Sequence, residues 1–150
     1  MTEVLFYHLE HRPLESVLPV LLERSLERGW RVVVHTPLEE RVDALDGHLW
    51  TFRDDSFLPH GTFREPAAAD QPVLLTVRED NPNSATVRIL IDRAPVPDDA
   101  SDYQRVVLMF EDGDADAVAE ARAAWQAVKA RGFAATYWRA DADGRWHKRA

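Results

Sequence analysis

Cysteine is absent from the 150-residue chain, which excludes disulfides, thiolate nucleophiles and cysteine-ligated zinc. Glycine is scarce. It occurs at 29, 47, 61, 113, 132 and 144, and neither G-x-G-x-x-G nor a P-loop can be written from those positions. The G-x-S-x-G nucleophile elbow and the H-E-x-x-H metal motif are missing as well. No apolar run approaches the roughly 20 residues that cross a bilayer. Met1 to Tyr7 has neither the basic start nor the long apolar run of a signal peptide. A cytoplasmic protein with no membrane partner is the expectation. Cations are the minority: 18 Lys and Arg against 26 Asp and Glu give a formal charge of −8. That argues against the whole surface binding nucleic acid, which needs a cationic field, and leaves room only for a local basic patch.

What is present fits one domain with a real core, 45% hydrophobic and 29% charged. Val4 to Tyr7 reads as a buried strand. Leu14, Val17, Leu18, Leu21, Leu22 and Leu26 recur at helical spacing, between Pro13 and Gly29. Pro19 is a blemish that bends this helix or displaces its start. Arg31 to His35 is a second strand, and Leu38 to Leu49 a second helix. Periodicity fades from Trp50 to Gln71. Strands follow at Pro72–Val77, Thr86–Ile91 and Arg105–Phe110. Gly113 to Arg131 is an alanine-rich helix, Phe133 to Arg139 a strand, and Arg145 to His147 its short return after an Asp143-Gly144 turn. Strands alternating with helices make an α/β layered domain, with a mostly parallel central sheet and an antiparallel edge near the C-terminus.

Several clusters invite chemistry. His8, Glu10 and His11 lie just beyond the predicted first strand and are the best metal candidates, with His35 as an outlying fourth. A solvated loop is the plainer reading, because no distant partner completes a ligand set. Asp54-Asp55 and Asp112-Asp114-Asp116 read as acidic turns or helix N-terminal charge. The aromatic stretch Trp50, Phe52, Phe57, Pro59 and Phe63 is either a satellite core or an anchor patch for a partner. On the last long helix Val118, Ala121, Trp125 and Val128 form the apolar stripe. Arg122 and Lys129 stand within about one-sixth of a turn of Trp125. Two cations beside an indole suit a chain end carrying a carboxylate and an apolar side chain. The bland alternative is an ordinary snorkelling border.

The chain resembles the chi subunits of bacterial DNA polymerase III holoenzymes. Phe6-Tyr7, Leu45-Asp46-Gly47-His48-Leu49-Trp50 and Asp55-Ser56-Phe57-Leu58-Pro59-His60-Gly61 carry the likeness. So do Arg122 and Trp125 on a helix closing in Gly132-Phe133, Thr136-Tyr137-Trp138, and Gly144-Arg145-Trp146. The resemblance implies a Rossmann-like fold and a non-catalytic accessory of the clamp-loader complex, without cofactor. It implies binding of the acidic C-terminal tail of single-stranded DNA-binding protein at Arg122 and Trp125; Lys129 joins them from the helical wheel. A family lysine falls at Val118 here, which thins the cationic site. Trp50, Phe57 and Pro59 match the surface that holds the psi subunit or a repair helicase. The DNA would then be touched by the partner and not by this chain. The rival is a small nucleotide- or metal-dependent enzyme working near His8, His11 and His35.

Overall fold

The structure is a computed structural model, and it describes residues 2–10, 12–52, 58–141, 143 and 145–150. The strands are β1 (Glu3–Leu9), β2 (Val32–His35), β3 (Gly61–Thr62), β4 (Val73–Thr76), β5 (Val87–Leu90), β6 (Arg105–Glu111), β7 (Ala134–Ala140) and β8 (Trp146–Lys148). The helices are α1 (Leu14–Glu27), α2 (Glu39–Thr51) and α3 (Ala115–Ala130). One eight-stranded sheet runs in the order β3-β4-β2-β5-β6-β1-β7-β8. Every neighbouring pair is parallel except β7 with β8. The expected α/β architecture, mostly parallel with an antiparallel C-terminal edge, is what the chain forms.

Alternation along the strands divides the core in two. Leu5, Val32, Val34, Leu75, Ile89 and Val107 pack against α1 and α2. Val4, Phe6, Val33, Leu74, Leu108 and Phe110 pack against α3. Central strands buried on both faces need apolar residues at nearly every position, which Val32-Val33-Val34 supplies. Arg88 departs furthest from this, a guanidinium fully buried in β5. Its guanidinium donates to the carbonyls of Asp80 and Arg78 and to the Tyr103 hydroxyl at 3.1, 2.7 and 3.1 Å.

The helix ends follow local chemistry. Asp114 caps α3 by accepting from the Ala117 N–H at 3.1 Å. Gly132 ends it at φ +85°, and the Phe133 N–H returns to the Val128 carbonyl at 3.1 Å. Gly29 does the same for α1 at φ +78°, with the Trp30 N–H on the Ser25 carbonyl at 3.0 Å. Of the two expected effects of Pro19, a displaced start is not seen: α1 begins at Leu14 and runs on through the proline. Proline has no N–H to offer the carbonyl four residues back. That carbonyl, on Glu15, instead lies 2.7 Å from Nε2 of His48 on α2.

Two further expectations are corrected. β1 is flanked by parallel partners on both sides and extends to Leu9, so His8 lies inside the strand and not in a loop beyond it. α2 continues to Thr51, which places Trp50 on a helix and not in irregular chain.

Candidate functional site

α3 packs Ala117, Ala121 and Val128 against the sheet and leaves Trp125 on the flank facing β1 and β7. The indole is half-buried. Phe6 meets it edge-on at 5.3 Å between centroids, and Tyr137 at 6.0 Å. Lys129 sits over the same indole, its Nζ 5.1 Å from the ring centroid. Arg122 is exposed and has no hydrogen bond or ion pair among the described residues. It is near enough to Tyr137 to act on its phenol: burial raises that pKa, and Arg139 and Arg122 pull it back. Of the three residues singled out on the helical wheel, Lys129 contacts the Trp125 indole, which rests on the rings of Phe6 and Tyr137, and Arg122 stands about one turn earlier on the same helix. A cavity of about 340 Å3 opens on the other flank of α3 beside Leu90, Pro95 and Val96, and Trp125 does not border it.

Beneath this flank a chain of polar groups that the sequence did not advertise runs from the buried His8 out to the exposed Asp112. The Nδ1 of His8 is 2.7 Å from the Tyr137 hydroxyl, and its Nε2 is 2.7 Å from Asp112 Oδ1. Burial lowers the His8 pKa, with the Asp112 hydrogen bond opposing it. A neutral imidazole fits: Nε2–H donates to Asp112, and Nδ1 accepts from the phenol. Arg139 then pairs with Glu10 and approaches Asp112 at 3.4 Å. His8 and Glu10 are thus occupied in protein contacts, and His11 lies outside the described residues. Among the described residues no cluster of three or more His, Asp or Glu has the arrangement of a metal site. Asp112 and Asp114 serve His8 and the α3 cap respectively; Asp54 and Asp55 lie outside the described residues. His35 is buried at the end of β2, and burial lowers its pKa too.

The aromatic stretch divides. Phe52 and Phe63 pack against the α1–α2 core. Trp50 does not; it is 49% exposed at the last turn of α2. One side of its ring rests on His60 at 4.4 Å. His60 is itself buried and fixed from both nitrogens, with Nδ1 2.7 Å from the Leu58 carbonyl and Nε2 3.0 Å from Asp46 Oδ1. Pro59, half-buried, lies next in the chain. Phe57 lies outside the described residues.

Fold and surface together define an open parallel α/β domain with no glycine phosphate cradle, carrying an indole with two cations on one helix and an exposed indole on another. The family model "DNA polymerase III chi subunit, HolC" matches residues 1–136. The chain belongs to that family. A probable DNA polymerase III subunit chi of Rickettsia prowazekii is 29% identical over 91 residues, covering 61% of this chain and 55% of the relative. The DNA polymerase III subunit chi of Pseudomonas aeruginosa is 37% identical over 82 residues, 53% of this chain and 56% of the relative. The chain spans little more than half the length of these curated relatives.

Proposed function

We propose that the chain is a non-catalytic accessory of the DNA polymerase III clamp-loader complex. It couples that complex to single-stranded DNA-binding protein by gripping the latter's acidic C-terminal tail. The observation that carries this reading is an exposed Arg122, with no ion pair among the described residues, on the same helix as a half-buried Trp125. The tail's terminal carboxylate pairs with the Arg122 guanidinium, and its last apolar side chain lies along the indole. Lys129, already over that ring, adds positive potential for the tail's acidic residues.

The exposed Trp50 supports a second contact, with the psi subunit or, in its place, a repair helicase. A large ring that is half in solvent, yet held on a buried histidine, is a pre-oriented anchor of the kind that dominates protein interfaces. The experiment is a pull-down of the chain with intact and tail-truncated single-stranded DNA-binding protein. Capture of the intact form alone is the expected result. Equal capture of both forms moves the contact away from the tail.

A further inference from the structure

A second cationic site lies on the opposite face of the sheet. Arg24 lies in the last turn of α1, Arg28 is its C-cap, and Arg105 begins β6. The three border one cavity of about 120 Å3 together with Tyr7, Ser25 and Trp30. Arg28 and Arg105 both lie over the Trp30 ring, at 5.0 and 4.9 Å from its centroid. Stacking of this kind pre-organises the guanidinium forks while leaving their N–H groups open. None of the three has a side-chain hydrogen bond or ion pair among the described residues. Of the charged groups acting on the Tyr7 phenol, Arg105, Arg28 and Arg24 are cations and Glu3 is the lone carboxylate. Three uncompensated cations at one cavity are out of character for a chain of charge −8.

Tyr7, which borders this cavity, begins a row of rings. Tyr7 touches Trp146 at 4.7 Å between centroids. In the sheet register Tyr7 lies beside Trp138, and Trp138 faces Lys148 across the β7–β8 pair, so all three are on this face. Tyr7, Trp138 and Trp146 are each only half-buried, and Lys148 and Arg149 are exposed. Forked cations beside a run of aromatic faces on an open sheet edge match a polymer that alternates anions with flat rings. An acidic peptide would match the cations, but a chain carrying a flat ring on every unit is what uses three aromatic faces in series.

We infer that this face, from Arg24, Arg28 and Arg105 to Trp146, binds a single strand of nucleic acid. Phosphates enter the arginine-lined cavity, and the bases stack along Tyr7, Trp138 and Trp146. The contact is separate from the α3 flank, and it departs from the expectation that the chain itself never touches nucleic acid.

The test is fluorescence anisotropy of a labelled oligothymidylate with the purified chain at low salt. Wild type binds, and with about three phosphates contacted, the slope of log affinity against log salt is about −2. The double variant Arg24→Ala/Arg28→Ala weakens binding about tenfold and reduces that slope by roughly 1.4. Trp146→Ala weakens it about fivefold. A charge-matched control, Arg64→Ala/Arg78→Ala at the far end of the sheet, changes neither quantity, and circular dichroism verifies each fold. Absence of oligonucleotide binding by wild type overturns the inference. So does equal weakening in the charge-matched control, or binding of an acidic peptide at Arg24 and Arg28 without binding of the oligonucleotide.

Discussion

The α3 flank and the C-terminal end of α2 each present a tryptophan, and they treat it in opposite ways. On α3 the ring is wedged over Phe6 and Tyr137, and Arg122, about one turn earlier, has no ion pair among the described residues. On α2 the ring stands half in solvent, and the polar groups beneath it, His60 and Asp46, are engaged with each other. The first arrangement offers charge over a packed floor and suits an anionic chain end. The second offers apolar area over polar groups already engaged with each other and suits a hydrophobic partner surface. Residue type alone does not distinguish the two; which of ring and charge remains available does.

The comparison is most strongly tested by Trp50→Ala. It should cost the partner interface about 2 kcal/mol, roughly 30-fold in affinity, as loss of a central anchor does. Thermal stability should change by less than about 1 kcal/mol, because the ring is half-exposed, and tail-peptide binding should be unaffected. Co-purification with psi or helicase that survives the change would strip α2 of its anchor role. Next in size is Arg122→Ala, which should weaken a tail peptide by about tenfold or more, since a charge-assisted hydrogen bond contributes about 1.5–3 kcal/mol. Added salt should weaken the wild type as well.

His60→Ala sharpens the contrast, because His60 is buried and reaches the partner only through Trp50. Loss of that ring contact should cost about 1 kcal/mol, near fivefold in partner affinity. If affinity is untouched at equal folded fraction, the histidine is only a structural tie for residues 46–58. Lys129→Ala should have a smaller effect, about threefold on the tail, as an exposed cation–π pair is worth about 0.5–1 kcal/mol.

The last prediction concerns pH. Burial lowers the pKa of His8 and of His35 from the usual value of 6.5. The unfolded chain therefore takes up protons first. The stability this contributes is complete above 6.5 and is lost as pH falls through that value toward the lower folded ones. Melting temperatures should fall across this window, less so in His35→Gln. A flat profile would place both rings in contact with solvent.

The local elements were legible because their signals are local. Val32-Val33-Val34, the alanine-rich α3 with Asp114 before it, and Gly29 and Gly132 after their helices each mark an element by nearby chemistry alone. The grouping of Arg122, Trp125 and Lys129 was legible for the same reason, since a helix fixes its own neighbours. Strand order was not, because β5 beside β2 and β1 between β6 and β7 are long-range choices. Nor was the environment of Arg88, whose partners sit on the preceding loop and at Tyr103. His8 looked like a loop ligand because its true partners, Asp112 and Tyr137, are more than 100 residues away. The floor under Trp125 was hidden similarly: Phe6 and Tyr137 come from strands at opposite ends of the chain.

The central claim is that Arg122 receives a free chain end. Calorimetry with two forms of one acidic tail peptide, ending in a carboxylate or in an amide, tests it against wild type and Arg122→Ala. Wild type should prefer the carboxylate by about tenfold, and the preference should vanish in the variant. A preference that persists without Arg122, or an amide bound as tightly as the acid by wild type, would contradict it.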